Sequence, residues 1–134
     1  MTAEAFWDRL FTMDASDMTE NERLCHAVNV FLCEWANGSL SQYFYNTGGE
    51  EAGILEQGLA AIGADEAGVI VNEATQVLFD GAERCWQNLP WPVPECKREQ
   101  VTALDRRIAA VENEIWDRLE AFAISQGLYG AGTT

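Results

Sequence analysis

A chain of 134 residues, 48% of them hydrophobic and five of them tryptophan, has the apolar mass for one core and too much of it for wholesale disorder. Its 22 acidic residues against eight basic ones set a net charge of −14, which works against direct nucleic-acid binding and against adsorption to an anionic membrane, since both need cationic surface. No run of about 18 apolar residues is present to span a bilayer, and the start MTAEAFWDRL lacks the basic opening and apolar stretch of a secretory signal, so the expected location is the cytoplasm.

The first expected element is a helix from Ala3 to about Thr12 with Phe6 and Leu10 facing inward, broken by the run DASDM. Thr19-x-x-Glu22 then reads as a capping box, in which each side chain bonds the other residue's free backbone N–H. Behind it Leu24, Val28, Phe31, Leu32 and Trp35 recur at the spacing of one helical face. Asn37-Gly38 should close this helix, with Gly38 in the left-handed conformation that suits a helix C-terminus. Ser39-x-x-Gln42 reads as a second capping box, opening a short helix on which Leu40, Tyr43 and Phe44 share a face before Asn46 and Gly48-Gly49 end it.

Glu50 and Glu51 suit a helix N-terminus electrostatically, and Leu55, Gly58, Leu59 and Ile62 carry that helix to Gly63. Asp65 is the expected N-cap of the next, which runs to about Phe79 and buries Ile70 or Val71, Ala74, Val77 and Leu78. The run Val69-Ile70-Val71 would also suit a strand, but its neighbours do not alternate. In NLPWPVPE three prolines at alternate positions hold Leu89, Trp91 and Val93 extended and forbid a helix. From Lys97 to Ser125, Leu104, Ile108, Val111, Ile115, Leu119 and Phe122 mark the stripe of a helix about 45 Å long. That exceeds what a domain of this size usually covers, so part of it is expected to meet a second copy of the chain. The expected fold is all-α: a multi-helix bundle over residues 1–126 with a helix-corner-helix motif and a long C-terminal helix, followed by a flexible tail over 127–134.

No catalytic constellation is legible. Cys25, Cys33, Cys85 and Cys96 show no C-x-x-C pairing and read as reduced, space-filling thiols rather than a zinc site. His26 is the single histidine, and its neighbour Cys25 points to a different helical face, a poor start for a nucleophile pair. His26, Asn29 and Cys33 form a polar stripe. Phosphate-binding and dinucleotide fingerprints are lacking. No metal and no cofactor are expected.

The charge is unevenly spread. From Leu24 to Glu83 there is no Lys or Arg, and Glu50, Glu51, Glu56, Asp65, Glu66, Glu73, Asp80 and Glu83 are candidates for an anionic partner-binding surface, with Asp14, Asp17 and Glu20 as further members. Duplex DNA carries one negative charge per roughly 1.7 Å of axis. Carboxylates one helical turn apart lie about 5–6 Å from each other, so several acidic helices can offer a comparable field. The same charge would also serve solubility alone.

The stretch NGSLSQYFYN closely resembles the N-G-G-F-x-Q-Y-F-x-N motif of the DNA mimic protein family, an all-helical acidic family whose members are mostly uncharacterised. Asn37, Gly38, Gln42, Tyr43, Phe44 and Asn46 match it, while Ser39 stands for the usual Gly and Leu40 for the usual Phe. GILEQGLAAIGADEAGVIVNEA also resembles the family's following helix pair, so the likeness spans about Thr19 to Phe79. The motif itself, Asn37 to Asn46, is read as structural, with the amides of Asn37, Gln42 and Asn46 satisfying backbone groups at the corner. The resemblance implies a non-enzymatic homodimer whose acidic surface occupies the nucleic-acid-binding face of a basic protein such as a DNA-binding regulator. Two other functions fit the sequence: an immunity protein or inhibitor of a cognate toxin, and an enzyme or small-ligand sensor at the helix corner, around Gln42, Tyr45 and Asn46.

Overall fold

The computed structural model describes residues 1–130. Its elements are α1 (Ala3–Thr12), a 3-10 turn (Ala15–Asp17), α2 (Glu20–Asn37), α3 (Leu40–Thr47), α4 (Ala52–Ala61), α5 (Asp65–Phe79), a second 3-10 turn (Trp86–Asn88) and α6 (Glu95–Ser125), with no strand among the described residues. The all-α expectation holds, including the helix over Val69-Ile70-Val71, where both Ile70 and Val71 are buried. Among the described residues no helix is long and apolar enough to cross a membrane.

Local sequence explains the start of α2. Thr19 Oγ1 accepts the Glu22 N–H at 3.2 Å and Glu22 Oε1 accepts the Thr19 N–H at 2.9 Å, a complete capping box. Glu22 is buried, and its other oxygen meets Arg9 of α1 in an ion pair that ties α1 to α2. The core then assembles on α2: Val28, Phe31 and Leu32 pack with Leu55 and Leu59 of α4, Ile70 and Leu78 of α5, and Ile108 of α6. Close approach of α2 and α4 depends on Gly58, where a Cβ would sit 2.9 Å from the Leu24 carbonyl oxygen.

Three local expectations need correction. Gly38 has φ −162°, extended rather than left-handed; the residue is small for a steric reason, because a Cβ there would lie 2.7 Å from the Cβ of Gln42. The N-cap of α5 is Ala64, not Asp65, which is the first helical residue and makes no capping bond. In the second capping box only half forms: Ser39 Oγ accepts the Gln42 N–H at 3.4 Å, and among the described residues the Gln42 side chain returns no bond.

Of the stripe expected on α6, Leu104, Ile108, Ile115 and Leu119 are buried, joined by Val101 and Ala123, while Val111 and Phe122 are only partly buried against the core. The expected flexible tail differs in part. Tyr129 is buried too, its ring 5.3 Å from Phe6 and 6.2 Å from Trp7. The chain after Gln126 therefore returns to α1 through Leu128 and Tyr129, because two aromatic side chains of α1 offer it apolar surface. Residues 131–134 of the expected tail lie outside the described residues.

Candidate functional site

The corner between α2 and α3 is pinned by aromatic packing. Tyr43 and Phe44 are buried, Tyr43 edge-on to Phe31 at 5.2 Å and to Phe44 at 5.1 Å, and Phe44 meets Phe79 at 6.0 Å. The amides do not serve the backbone as expected. Asn46 donates to the Glu34 carboxylate, and the side chains of Asn37 and Gln42 form no hydrogen bond among the described residues. The free amide at the start of α3 is met from far along the chain: Asp105 of α6 accepts the Leu40 N–H at 2.9 Å. Tyr45, on the outer face, stacks with Trp91 at 4.3 Å and meets Trp86 at 5.1 Å, so the proline-rich strap closes over α3. Gly48, with φ +67°, ends α3 in the left-handed conformation, and Trp86 lies where a Cβ at this position would be.

Beneath the corner, between α2, α3 and α4, lies a cavity of about 170 Å³ lined by Ala15, Arg23, His26, Ala27, Val30, Tyr43, Glu51 and Ile54. The Tyr43 hydroxyl is buried in the core and makes no hydrogen bond of full geometry; the Thr47 side chain lies beside it and its hydroxyl donates to the Tyr43 carbonyl at 2.9 Å. Burial raises the pKa of Tyr43, and the Glu51 carboxylate raises it further. Burial lowers the pKa of His26, with Glu51 opposing that shift and Arg23 adding to it. Sequence reasoning grouped His26 with Asn29 and Cys33 on one helix and had no means of seeing Tyr43 and Glu51 arrive opposite it.

The eight candidate carboxylates divide. Glu56 pairs with Arg84 at 2.6 Å, Asp80 with Lys97 at 2.6 Å, and Glu66 and Glu73 share Arg107 at 2.9 and 2.8 Å. Glu50, Glu51, Asp65 and Glu83 are exposed and take part in no ion pair among the described residues. The basic residues that sequence places outside the acidic stretch thus fold back onto it, at Arg84 from the loop after α5 and at Lys97 and Arg107 from α6. Glu56, Asp65 and Glu73 come together around a groove of about 370 Å³ between α4 and α5, whose remaining lining is Ala60, Ala64, Gly68, Val69 and Asn72. Glu51 faces the cavity instead, and Asp80 sits at the end of α5. Asp14, Asp17 and Glu20 are exposed around the start of α2.

A second acidic surface was not singled out from sequence. Asp117 and Glu120 flank a smaller cavity walled by Ala3, Trp7, Trp116, Leu119 and Tyr129; it joins two chain ends, which no local pattern brings together. No group of three or more His, Cys, Asp or Glu side chains among the described residues is placed to hold a metal ion.

A family model described as DMP19-like protein matches residues 16–126, from the first 3-10 turn to the end of α6. No curated protein and no solved structure matches the chain.

Proposed function

The chain belongs to the DMP19-like family, and from that premise we propose that it is a non-catalytic DNA mimic, an acidic domain that occupies the basic, nucleic-acid-binding surface of a partner protein. The expected partner class is a DNA-binding regulator. The observation that carries this reading is the α4/α5 groove, where Glu56, Asp65 and Glu73 surround a floor of Ala60, Ala64, Gly68 and the half-exposed Val69. Such a groove suits a lysine or arginine side chain, whose aliphatic stem lies on apolar surface while its head reaches a carboxylate. Arg107 holds Glu66 and Glu73 in place and Arg84 holds Glu56, so a partner would meet carboxylates already ordered; with Asp65 unpaired, acids still outnumber cations there. Long-range attraction from the net charge of −14 would speed the encounter.

The family resemblance brings a homodimer with it. Light scattering at micromolar concentration decides the point, a monomeric mass counting against it. A cytoplasmic setting is part of the same reading.

Capture from cell lysate tests the function. Immobilised wild-type protein should retain a basic, DNA-binding protein at about 50 mM NaCl and release it at about 500 mM, because exposed charges are screened within a few ångströms at high salt. Added duplex DNA should displace it. Asp65→Lys with Glu73→Lys should abolish capture, while Glu4→Lys with Asp8→Lys on α1 should leave it intact. A captured protein that resists both salt and DNA would overturn the proposal.

A further inference from the structure

The recess between α1 and α6 shares no residue with the α4/α5 groove and takes no part in the proposed partner binding. α1 brings Trp7 to it, α6 brings Trp116, Asp117 and Glu120, and the chain beyond α6 brings Tyr129. We propose that this recess is a binding site for a small free organic cation carrying a trimethylammonium group, of the kind that choline represents.

Three aromatic side chains meet at one opening. The rings of Trp7 and Tyr129 lie 6.2 Å apart at 67° to each other, so they form two walls set at an angle. Both also pack on Phe6, at 4.9 and 5.3 Å, which holds them in place. Trp116 is different: it stands at the rim and is 38% exposed. The face of an aromatic ring attracts a cation, and several rings around one point are how quaternary ammonium groups are recognised. Burial raises the pKa of Tyr129, Trp7 beside it lowers it, and the Glu120 carboxylate raises it again, for a net rise. The phenol therefore stays protonated at neutral pH and its ring uncharged.

Charge points the same way. Asp117 and Glu120 are exposed and enter no ion pair among the described residues. Among those residues no Lys or Arg lines the recess, and the two nearest along α1 and α6, Arg9 and Arg118, pair with Glu22 and Glu114. An anion is repelled, and a neutral molecule gains nothing from the carboxylates. A primary ammonium is strongly hydrated and needs acceptors for three N–H groups; the carboxylates that could serve it stand in solvent, where an ion pair is worth little. A trimethylammonium group has no N–H to satisfy, so its methyls can lie against the rings while its charge faces Asp117 and Glu120. No amide or basic side chain lines the recess to hold a peptide backbone, which assigns the cation to a free molecule.

Choline and 3,3-dimethyl-1-butanol, alike in shape and different in charge, are the probes, added to full-length protein against NaCl of equal ionic strength. Choline at millimolar concentration should shift the indole resonances of Trp7 and Trp116 and the amide of Tyr129 along a saturable curve. The neutral alcohol should bind about tenfold more weakly, and ethanolamine should also fall below choline. Trp116→Ala should abolish the choline response; Asp117→Asn with Glu120→Gln should weaken it severalfold and serves as the test if the first variant fails to fold. Absence of a saturable response to choline would overturn the proposal. So would equal binding of choline and the alcohol, equal binding of ethanolamine, or a response untouched by these substitutions. A trimethyllysine peptide bound far more tightly than choline would move the site to a protein partner and overturn the assignment to a free molecule.

Discussion

Asp105 belongs to α6, yet its carboxylate completes α3 by accepting the Leu40 N–H at 2.9 Å, one of the amides a helix start leaves free. Burial raises its pKa, while the Leu40 amide and the Trp35 indole beside it pull it back; the indole N–H itself makes no hydrogen bond of full geometry. With the pKa raised on folding, the folded chain holds this proton to higher pH than the unfolded chain does. The cost of ionised Asp105 is therefore absent below its unfolded pKa and complete above its folded one. Asp105→Asn keeps an oxygen for Leu40 without the charge. Urea denaturation at pH 7 should find it at least as stable as wild type, whereas Asp105→Ala, losing the cap, should cost about 1 kcal/mol. Glu22 has the opposite sign. The Thr19 amide is the largest influence on its pKa and lowers it, burial raises it, and Arg9 lowers it again, for a net fall from 4.5. Its stabilising contribution is present above the unfolded pKa and lost as pH falls through the folded value. Glu22→Gln should thus unfold at lower urea than wild type at pH 7, and the gap should narrow as the pH falls through the folded-state pKa of Glu22, which lies below 4.5. A gap unchanged by acid would remove Glu22 as a source of the pH dependence.

At the scale of whole helices, glycines in α4 and α5 separate packing from propensity. A Cβ on Gly58 would lie 2.9 Å from the Leu24 carbonyl oxygen and 2.9 Å from a Val28 methyl, while one on Gly68 would meet nothing within 4 Å. Gly58→Ala should therefore destabilise by about 1–3 kcal/mol as α2 and α4 are pushed apart. Gly68→Ala should stabilise by about 0.5–1 kcal/mol through helix propensity. Chemical denaturation of both variants checks the pair, and equal effects would contradict the packing of α2 on α4. The helices were legible because apolar periodicity, the Thr19/Glu22 box and the prolines of the strap are local signals. The capping of Leu40 by Asp105 was not, since the two residues stand 65 positions apart. Nor was the closure of Trp86 and Trp91 over Tyr45, or the return of Tyr129 to α1. The candidate site was legible as composition and not as geometry. Sequence named all eight carboxylates, but only folding decides that Glu56, Asp65 and Glu73 share a groove and that Glu51 turns to the cavity. Gly38 shows a third kind of miss: the right residue for a corner, with a steric role where a conformational one was expected.

Across the molecule, charge is the property that stability and the proposed function share. Six carboxylates enter ion pairs, and Arg23, Arg98 and Arg106 enter none among the described residues, so the excess of −14 is left to repel itself over the surface. Salt shortens the reach of that repulsion from about 30 Å at 0.01 M to about 8 Å at 0.15 M. It also weakens the exposed ion pairs, but exposed pairs are individually worth about 1 kcal/mol or less, and most of those here are at least partly exposed. The repulsive term should win. Raising NaCl from 0.01 to 0.15 M should lift the melting temperature of the free protein by about 3–6 °C, the shift produced by roughly 1 kcal/mol in a chain of this size. The complex with a basic partner should respond in the opposite direction over the same range, because its attraction is screened by the same ions. Measured side by side, a free protein stabilised by salt and a complex loosened by it would trace both effects to the unpaired carboxylates. A free protein that melts earlier in salt would mean that the ion pairs of Arg84, Lys97 and Arg107 outweigh the net charge, and that the acidic surface is largely neutralised from within.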